Sequence, residues 1–151
     1  MLVNIRRARE DDVPALTSMC AEHAVYERAG FTQDDNESAL RSALFDVAPR
    51  LLCWIADLDG PVGFLSATID FSTWRARDFM HVDCLFIREG YRGRGIGLKL
   101  FEAAREEAMR RGLDELHWQT PDWNLEAARF YRRLGANESI KRRYRYQTTA
   151  H

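Results

Sequence analysis

The stretch Phe79-Met80-His81-Val82-Asp83-Cys84-Leu85-Phe86-Ile87-Arg88-Glu89-Gly90-Tyr91-Arg92-Gly93-Arg94-Gly95-Ile96-Gly97 decides the fold. Residues 79–87 are mostly apolar and rich in β-branched and aromatic side chains, the pattern of a buried strand. Arg88-Glu89-Gly90-Tyr91 breaks the run. The glycine-rich segment from Arg92 to Gly97 then passes without a gap into residues 98–111. There Leu100, Ala104 and Ala108, and Phe101, Arg105 and Met109, recur at four-residue spacing with charges between them, which predicts a helix. Gly112 stands where a left-handed C-cap would end it. A strand, a glycine-rich turn and a helix N-terminus make an anion site, because N–H groups without helical partners point outward and the helix dipole favours negative charge there. Gly93, Gly95 and Gly97 lack the β-carbons that would hold a phosphate off the backbone, and Arg92 and Arg94 add positive charge. The plainer alternative is a tight turn that carries no ligand.

The rest of the chain supplies a setting. Residues 3–8 read as a short alternating strand. Asp11 or Asp12 caps a helix whose apolar positions are Val13, Leu16, Met19, Cys20 and His23, with Pro14 in the first turn, fading at residues 28–30. A polar link, Thr32-Gln33-Asp34-Asp35-Asn36, leads to a second helix over 37–45. Residues 51–58 and 62–71 are strands joined at Asp59-Gly60, a hairpin signal, and with 79–87 they form an antiparallel meander. A strand over 113–120 follows the central helix. Asp122 or Asn124 then caps a helix with Ala128, Phe130, Tyr131 and Leu134 on one face and Gly135 at its end. The tail over 138–147 alternates weakly through Ile140, Tyr144 and Tyr146, enough for one last strand or hairpin.

Composition narrows the classes. With 151 residues the chain suits one domain with a proper core, and a formal charge of −1 gives no global attraction for nucleic acid or membrane. No apolar run approaches the roughly 20 residues that span a bilayer, and the N-terminus has no signal-peptide core. Cys20, Cys53 and Cys84 are odd in number and widely spaced in apolar surroundings. They read as buried thiols of a cytoplasmic protein, without zinc-ligand spacing or a disulfide framework. No metal is expected.

Two familiar phosphate loops do not fit. The segment lacks the Gly-Lys-Ser/Thr ending of a P-loop, and Leu98 breaks the G-x-G-x-x-G dinucleotide pattern. Arg92-x-x-Gly95-x-Gly97 instead resembles the Arg/Gln-x-x-Gly-x-Gly pyrophosphate loop of the GNAT superfamily of acetyl-CoA-dependent N-acetyltransferases. Trp123-Asn124-x-x-Ala127-x-x-Phe130-Tyr131-x-x-x-Gly135-Ala136 is similar to that family's downstream motif, about 30 residues further on and in the right order. The order of elements matches from end to end. The resemblance, nearest to the diamine and polyamine acetyltransferase branch, implies a single domain over 1–151. Its expected fold is α/β (α+β), a mixed, mostly antiparallel central sheet with helices on both faces. It implies acetyl-CoA as cosubstrate and a small-molecule amine as acceptor (polyamine-like, an amino acid or an antibiotic-like amine). Acetylation of protein amines and a non-catalytic module that holds CoA are the alternatives. Separately, the alternating tail, with few local partners for Ile140, Tyr144 and Tyr146, points to a homodimer, against a strand that merely closes its own sheet.

Acetyl transfer to an amine needs a phosphate cradle, a donor for the acetyl oxygen, a base and an acid. By resemblance Arg92, Gly93, Arg94, Gly95, Ile96 and Gly97 form the cradle. Leu85, Phe86 and Ile87 line the acetyl and pantetheine arm, with the N–H of Leu85 facing the acetyl oxygen. Asn124 is a helix cap, a pantetheine ligand or both. Tyr131 is the acid by resemblance, against a core tyrosine from helical spacing alone. Asp83 is the candidate base, since a carboxylate inside an apolar strand needs a function or a partner, and it would share one strand face with Leu85. It stands where a glutamate acting through water is expected, so its shorter side chain also suits a water-mediated path. A structural pair with an arginine is the competing reading. His81 is a partner, a substitute base or a structural histidine, and His117 can face either helix layer. Tyr26, Glu27 and Trp74 lie in segments that resemble those framing the amine pocket of diamine and polyamine acetyltransferases. With Asp83 they are the acceptor-side candidates, an aromatic plus a carboxylate being suited to an ammonium; a solvated helix residue for Glu27 and a loop anchor for Trp74 are the alternatives. Arg75, Arg77, Lys141, Arg142 and Arg143 make the mouth basic, which would favour a carboxylate-bearing amine.

Overall fold

Alternation along the central strands decides the layering. The computed structural model describes residues 2–30 and 36–149, so the expected link over 32–35 lies outside the described residues. The chain divides into two units, Met1–Gln119 and Thr120–His151.

The first unit is built on one sheet of strand order β1-β2-β3-β4-β5, formed by β1 (Asn4–Arg7), β2 (Leu52–Asp57), β3 (Pro61–Ser72), β4 (Arg77–Ile87) and β5 (Leu116–His117). All neighbours are antiparallel except β4 and β5. Asp59 (φ 57°) and Gly60 (φ 120°) turn β2 into β3, the left-handed pair that a tight hairpin requires. Alternate residues then feed two cores. On one face Trp54, Ala56, Leu65, Ala67, Met80 and Val82 pack against Ile96, Leu100, Ala104 and Ala108 of α3 (Ile96–Arg110). On the other, Cys53, Ile55, Phe64 and Phe86 pack against Leu16 and Met19 of α1 (Val13–Tyr26) and Leu44 of α2 (Asn36–Phe45). Each side chain of that size stabilises by about 2 kcal/mol when fully buried. Helices thus cover both faces of a mixed, mostly antiparallel sheet.

Several expectations are corrected. Asp12 adopts helical backbone angles and makes no side-chain cap. Its carboxylate instead accepts two bonds from the Arg6 guanidinium (2.7 and 2.8 Å) and one from the Arg9 N–H (2.7 Å). β5 is two residues long rather than eight: only Leu116 and His117 pair with β4, at Met80 and His81, while Asp114 and Glu115 just before it form ion pairs with Arg75 and Arg77. In the second unit α4 (Leu125–Arg133) ends at Gly135 (φ 89°) as expected. The tail forms no strand: residues 136–148 carry no regular structure, and Ile140, Tyr144 and Tyr146 are 87, 83 and 91 % exposed. Arg142 interrupts the apolar phase of Ile140, Tyr144 and Tyr146, and the exposure of those three residues shows that no strand among the described residues covers them.

Candidate active site

The site begins with an irregularity in β4. Ser66 pairs with Cys84 and Ala67 with Val82, so Asp83 has no partner in β3 and forms a β-bulge. The extra residue switches the phase of the strand. Before it, Met80 and Val82 face α3; after it, Leu85 and Ile87 join that side, while Cys84 and Phe86 turn toward α1. The expectation that Asp83 and Leu85 share one face is therefore wrong: strict alternation ends at the bulge.

The bulge also sets the direction of the backbone groups. Arg88 donates to the Val62 carbonyl at 2.8 Å, so by antiparallel alternation Phe86 and Cys84 exchange bonds with β3. Leu85 and Ile87 consequently aim their N–H and C=O groups the other way, toward the β5 side. There β5 pairs only with Met80 and His81. Among the described residues no strand pairs with β4 beside Leu85 and Ile87 on this side, and a ligand amide chain can add to that edge as a strand would. The Ile87 carbonyl already accepts a bond from Arg92 Nε at 2.9 Å.

The glycine loop continues from this edge. Gly90, Gly93 and Gly95 have φ of 91°, 75° and 78°. A β-carbon on Gly93 or Gly95 would meet nothing within 4 Å, so these positions need glycine for backbone conformation rather than for space within the protein. Ile96 and Gly97 already belong to α3, and the Ile96 side chain is buried in the core. What they offer a ligand is therefore N–H groups of the first helical turn, which have no intrahelical acceptor. The guanidinium of Arg94 stands 5.5 Å over the Tyr91 ring, on the loop itself. That of Arg92 lies 4.3 Å over Tyr26 and 5.5 Å over Phe86. The left-handed glycines, the free helix start and the open strand edge fit a long cosubstrate with a pyrophosphate at one end and amides along its arm.

Around the bulge, the Asp83 side chain is 61 % exposed, so the strand does not bury it as its apolar neighbours suggested. The extra residue swings it to the surface. His81 Nε2 is 3.9 Å from Asp83 Oδ1, and the Cys84 thiol is 3.8 Å from Oδ2. Burial, and then the charge of Asp83, push the Cys84 thiol up to about 12; the same two causes push Cys20 to about 11. Cys53 is raised further by burial. Raised thiols of this kind favour the protonated form, which argues against a nucleophilic role.

On the acceptor side Tyr26 ends α1 and Glu27 follows it. Glu27 Oε2 is 2.9 Å from His23 Nε2, and the His23 ring packs on Phe86 at 5.2 Å. Apolar spacing along α1 marks His23 only as a core position, yet it stands four residues before Glu27, the spacing at which the two side chains meet on one helix face. Trp74, in the β3–β4 turn, is 95 % exposed. The basic mouth is weaker than expected, since Arg75 binds Asp114 and Glu115 and Arg77 binds Asp114. His117 resolves as a structural residue, stacked on Phe79 at 4.1 Å and bonded to Glu115. An open groove of about 660 Å³ between α1 and α2, lined by Thr17, Ser18, Glu22 and Arg41, includes none of the expected site residues.

In the second unit, Asn124 is buried and its Oδ1 accepts from the Ala127 N–H at 3.2 Å, which makes it the cap of α4. Tyr131 is half-buried on α4, with its ring 5.4 Å from that of Phe130.

A glycine-rich helix start beside an unpaired strand edge, on a mostly antiparallel sheet with helices on both faces, is an arrangement suited to an acyl-CoA-dependent transferase. The sequence model of the acetyltransferase (GNAT) family matches residues 16–136, and the chain belongs to that family. It is accordingly an N-acetyltransferase that takes its acetyl group from acetyl-CoA and gives it to an amine. A thialysine N-epsilon-acetyltransferase of Bos taurus is 31 % identical over 145 residues, covering 90 % of this chain and 85 % of the relative. A peptidyl-lysine N-acetyltransferase of Salmonella typhimurium, YjaB, is 30 % identical over 137 residues, covering 89 % and 83 %. Among solved structures, AAC(6')-Iy in complex with a CoA bisubstrate analogue superposes with a TM-score of 0.82 at 19 % identity, covering 99 % of this chain and all of that one, a likeness of fold.

Proposed function

We propose that the acceptor is the primary amine of a small cationic molecule, polyamine-like, an amino acid or an antibiotic-like amine, which attacks the thioester directly. The observation that carries the reading is the bulge at Asp83, which turns the Leu85 N–H to the open edge and leaves a carboxylate two residues away. When bound, acetyl-CoA supplies the activated acyl carbon. Gly93 to Gly97 hold its pyrophosphate through backbone N–H groups, with Arg94 adding charge, while Leu85, Phe86 and Ile87 line the arm and Leu85 N–H faces the acetyl oxygen. Asp83, through a water and with His81 beside it, takes the proton of the acceptor ammonium; Tyr131 gives one to the leaving thiolate. Asn124, as cap of α4, orients the helix that carries Tyr131. Tyr26, Glu27 and Trp74 face the rest of the acceptor, a ring and a carboxylate both attracting a cation.

With Arg75 and Arg77 paired, the case for a carboxylate-bearing acceptor weakens and that for a cationic one grows. Protein lysine is the second reading, favoured by the relative that acetylates peptidyl-lysine. A module that only holds CoA would lack a use for Asp83 and Tyr131. The family match crosses the boundary between the two units, which supports one catalytic domain over the whole chain. Free thiols at Cys20, Cys53 and Cys84 suit a cytoplasmic setting, and no helix among the described residues is long and apolar enough to cross a membrane. The exposed apolar residues of the tail suit a homodimer.

The test is thiol release from acetyl-CoA with a panel of diamines, amino acids, aminoglycosides and lysine peptides, for wild type and Tyr131→Phe. Turnover with a small amine, lowered about 100-fold or more in the variant, is the expected result. Turnover confined to peptides would move the reading to protein lysine, and no release with any amine would favour the CoA-holding module.

A further inference from the structure

Two arginines of the β4–α3 connection turn back onto α1. Arg88 donates from Nε to Glu22 Oε2 at 3.1 Å and from Nη1 to the Pro61 carbonyl at 3.0 Å. Arg92, four residues later, donates from Nε to the Ile87 carbonyl at 2.9 Å and lays its guanidinium over Tyr26 and Phe86 at 4.3 and 5.5 Å. Glu22 and Tyr26 are themselves four apart, one turn of α1. Two rungs therefore join the start of the phosphate loop to the last turns of the helix that ends in Tyr26 and Glu27.

We propose that Arg92 is a positioning residue rather than a phosphate ligand. Its stack on Tyr26 and its bond to Ile87 hold the phosphate loop in register with the end of α1, so that acetyl-CoA binding senses the acceptor wall. The inference rests on the reading of residues 92–97 as the CoA cradle. Geometry argues for it: Nε is spent on the carbonyl that ends β4, and the planar face of the guanidinium is spent on two rings. A planar, forked cation can meet both demands at once. A lysine ammonium would keep the charge and lose the fork and the flat face. The charge that reaches a phosphate then falls to Arg94 and the backbone N–H groups.

The experiment is calorimetry of acetyl-CoA binding at low and high salt for Arg92→Lys, Arg92→Met, Tyr26→Phe, Tyr26→Leu and the Arg92→Met/Tyr26→Leu double variant, each checked for folding by circular dichroism. Arg92→Met should weaken binding about tenfold, the worth of one hydrogen bond plus one cation–π contact, and Arg92→Lys and Tyr26→Leu, which each remove part of that arrangement, about threefold. Their salt dependence should match wild type, Tyr26→Phe, which keeps the ring, should lose less than Tyr26→Leu, and the double variant should lose no more than Arg92→Met alone. Normal binding by Arg92→Lys, together with a shallower salt dependence in Arg92→Met, would make Arg92 a phosphate ligand and overturn the proposal. So would losses that add in the double variant, or a Tyr26→Leu protein with wild-type affinity. The cradle itself is tested separately by Gly95→Val: undiminished affinity there refutes the cradle whatever Arg92 does.

Discussion

At the scale of the residue, Asp83 carries the most. It lies at the one break in the β3–β4 register, two residues from Leu85, so its carboxylate and the outward N–H of Leu85 come from one irregularity. Asp83→Asn should fold and bind acetyl-CoA normally yet lose roughly 100- to 10,000-fold in turnover at neutral pH. The deficit should shrink as pH rises, because the amine then arrives already deprotonated. A rate profile against pH measures this, and near-normal turnover at neutral pH would move the base to His81 or to bulk water. Gly95 is the second decisive residue. At φ 78° it tolerates no β-branched side chain without strain. Gly95→Val should deform the loop where N–H groups converge and abolish acetyl-CoA binding in an otherwise folded protein, as read by calorimetry.

At the scale of the element, the start of α1 is fixed by charge. Arg6 of β1 holds both oxygens of Asp12 and reaches Asp57 at the end of β2 with Nε at 3.1 Å. The hydrogen bond from Arg6, ahead of the cost of burial, holds the Asp12 carboxyl below its ordinary value. For Asp57 the Gly60 N–H comes first among the causes that lower it, with Arg6 adding to the effect. A depressed folded value means stability that is fully present above the unfolded carboxylate range, about pH 4, and lost as pH falls through the folded values. Wild type should therefore unfold progressively below about pH 4. Asp12→Asn should show a shallower acid transition and cost about 2 kcal/mol at pH 7, since a half-buried guanidinium loses its main partner. Denaturant titrations at pH 7 and pH 3 measure both. Equal losses at the two pH values would mean the pair adds nothing electrostatic.

At the scale of the whole molecule, the tail poses the open question of assembly. Ile140, Tyr144 and Tyr146 stand 87, 83 and 91 % exposed beside four basic residues, a composition unsuited to solitary exposure. A homodimer would cover them. Light scattering at micromolar concentration should give twice the mass of one chain, and Ile140→Asp with Tyr144→Ser should shift it to one. A monomeric wild type refutes the dimer.

The sequence by itself determined the parts that depend on local periodicity and on backbone conformation. The meander, the helix after the glycine loop, the glycines that end helices at 112 and 135, and the two motifs that mark the family were legible because each is set within a few residues. The tertiary structure alone decided the rest. The phase of β4 depends on its register with the twelve residues of β3, and no local pattern marks Asp83 as the residue left over. Arg75 and Arg77 read as free cations until residues almost forty positions away neutralise them. Arg92 reads from the sequence as part of the phosphate loop, and only the packing of α1 shows Tyr26 beneath its guanidinium. Spacing along the chain fixes which elements form, whereas pairing across the chain fixes which atoms of those elements a substrate can reach.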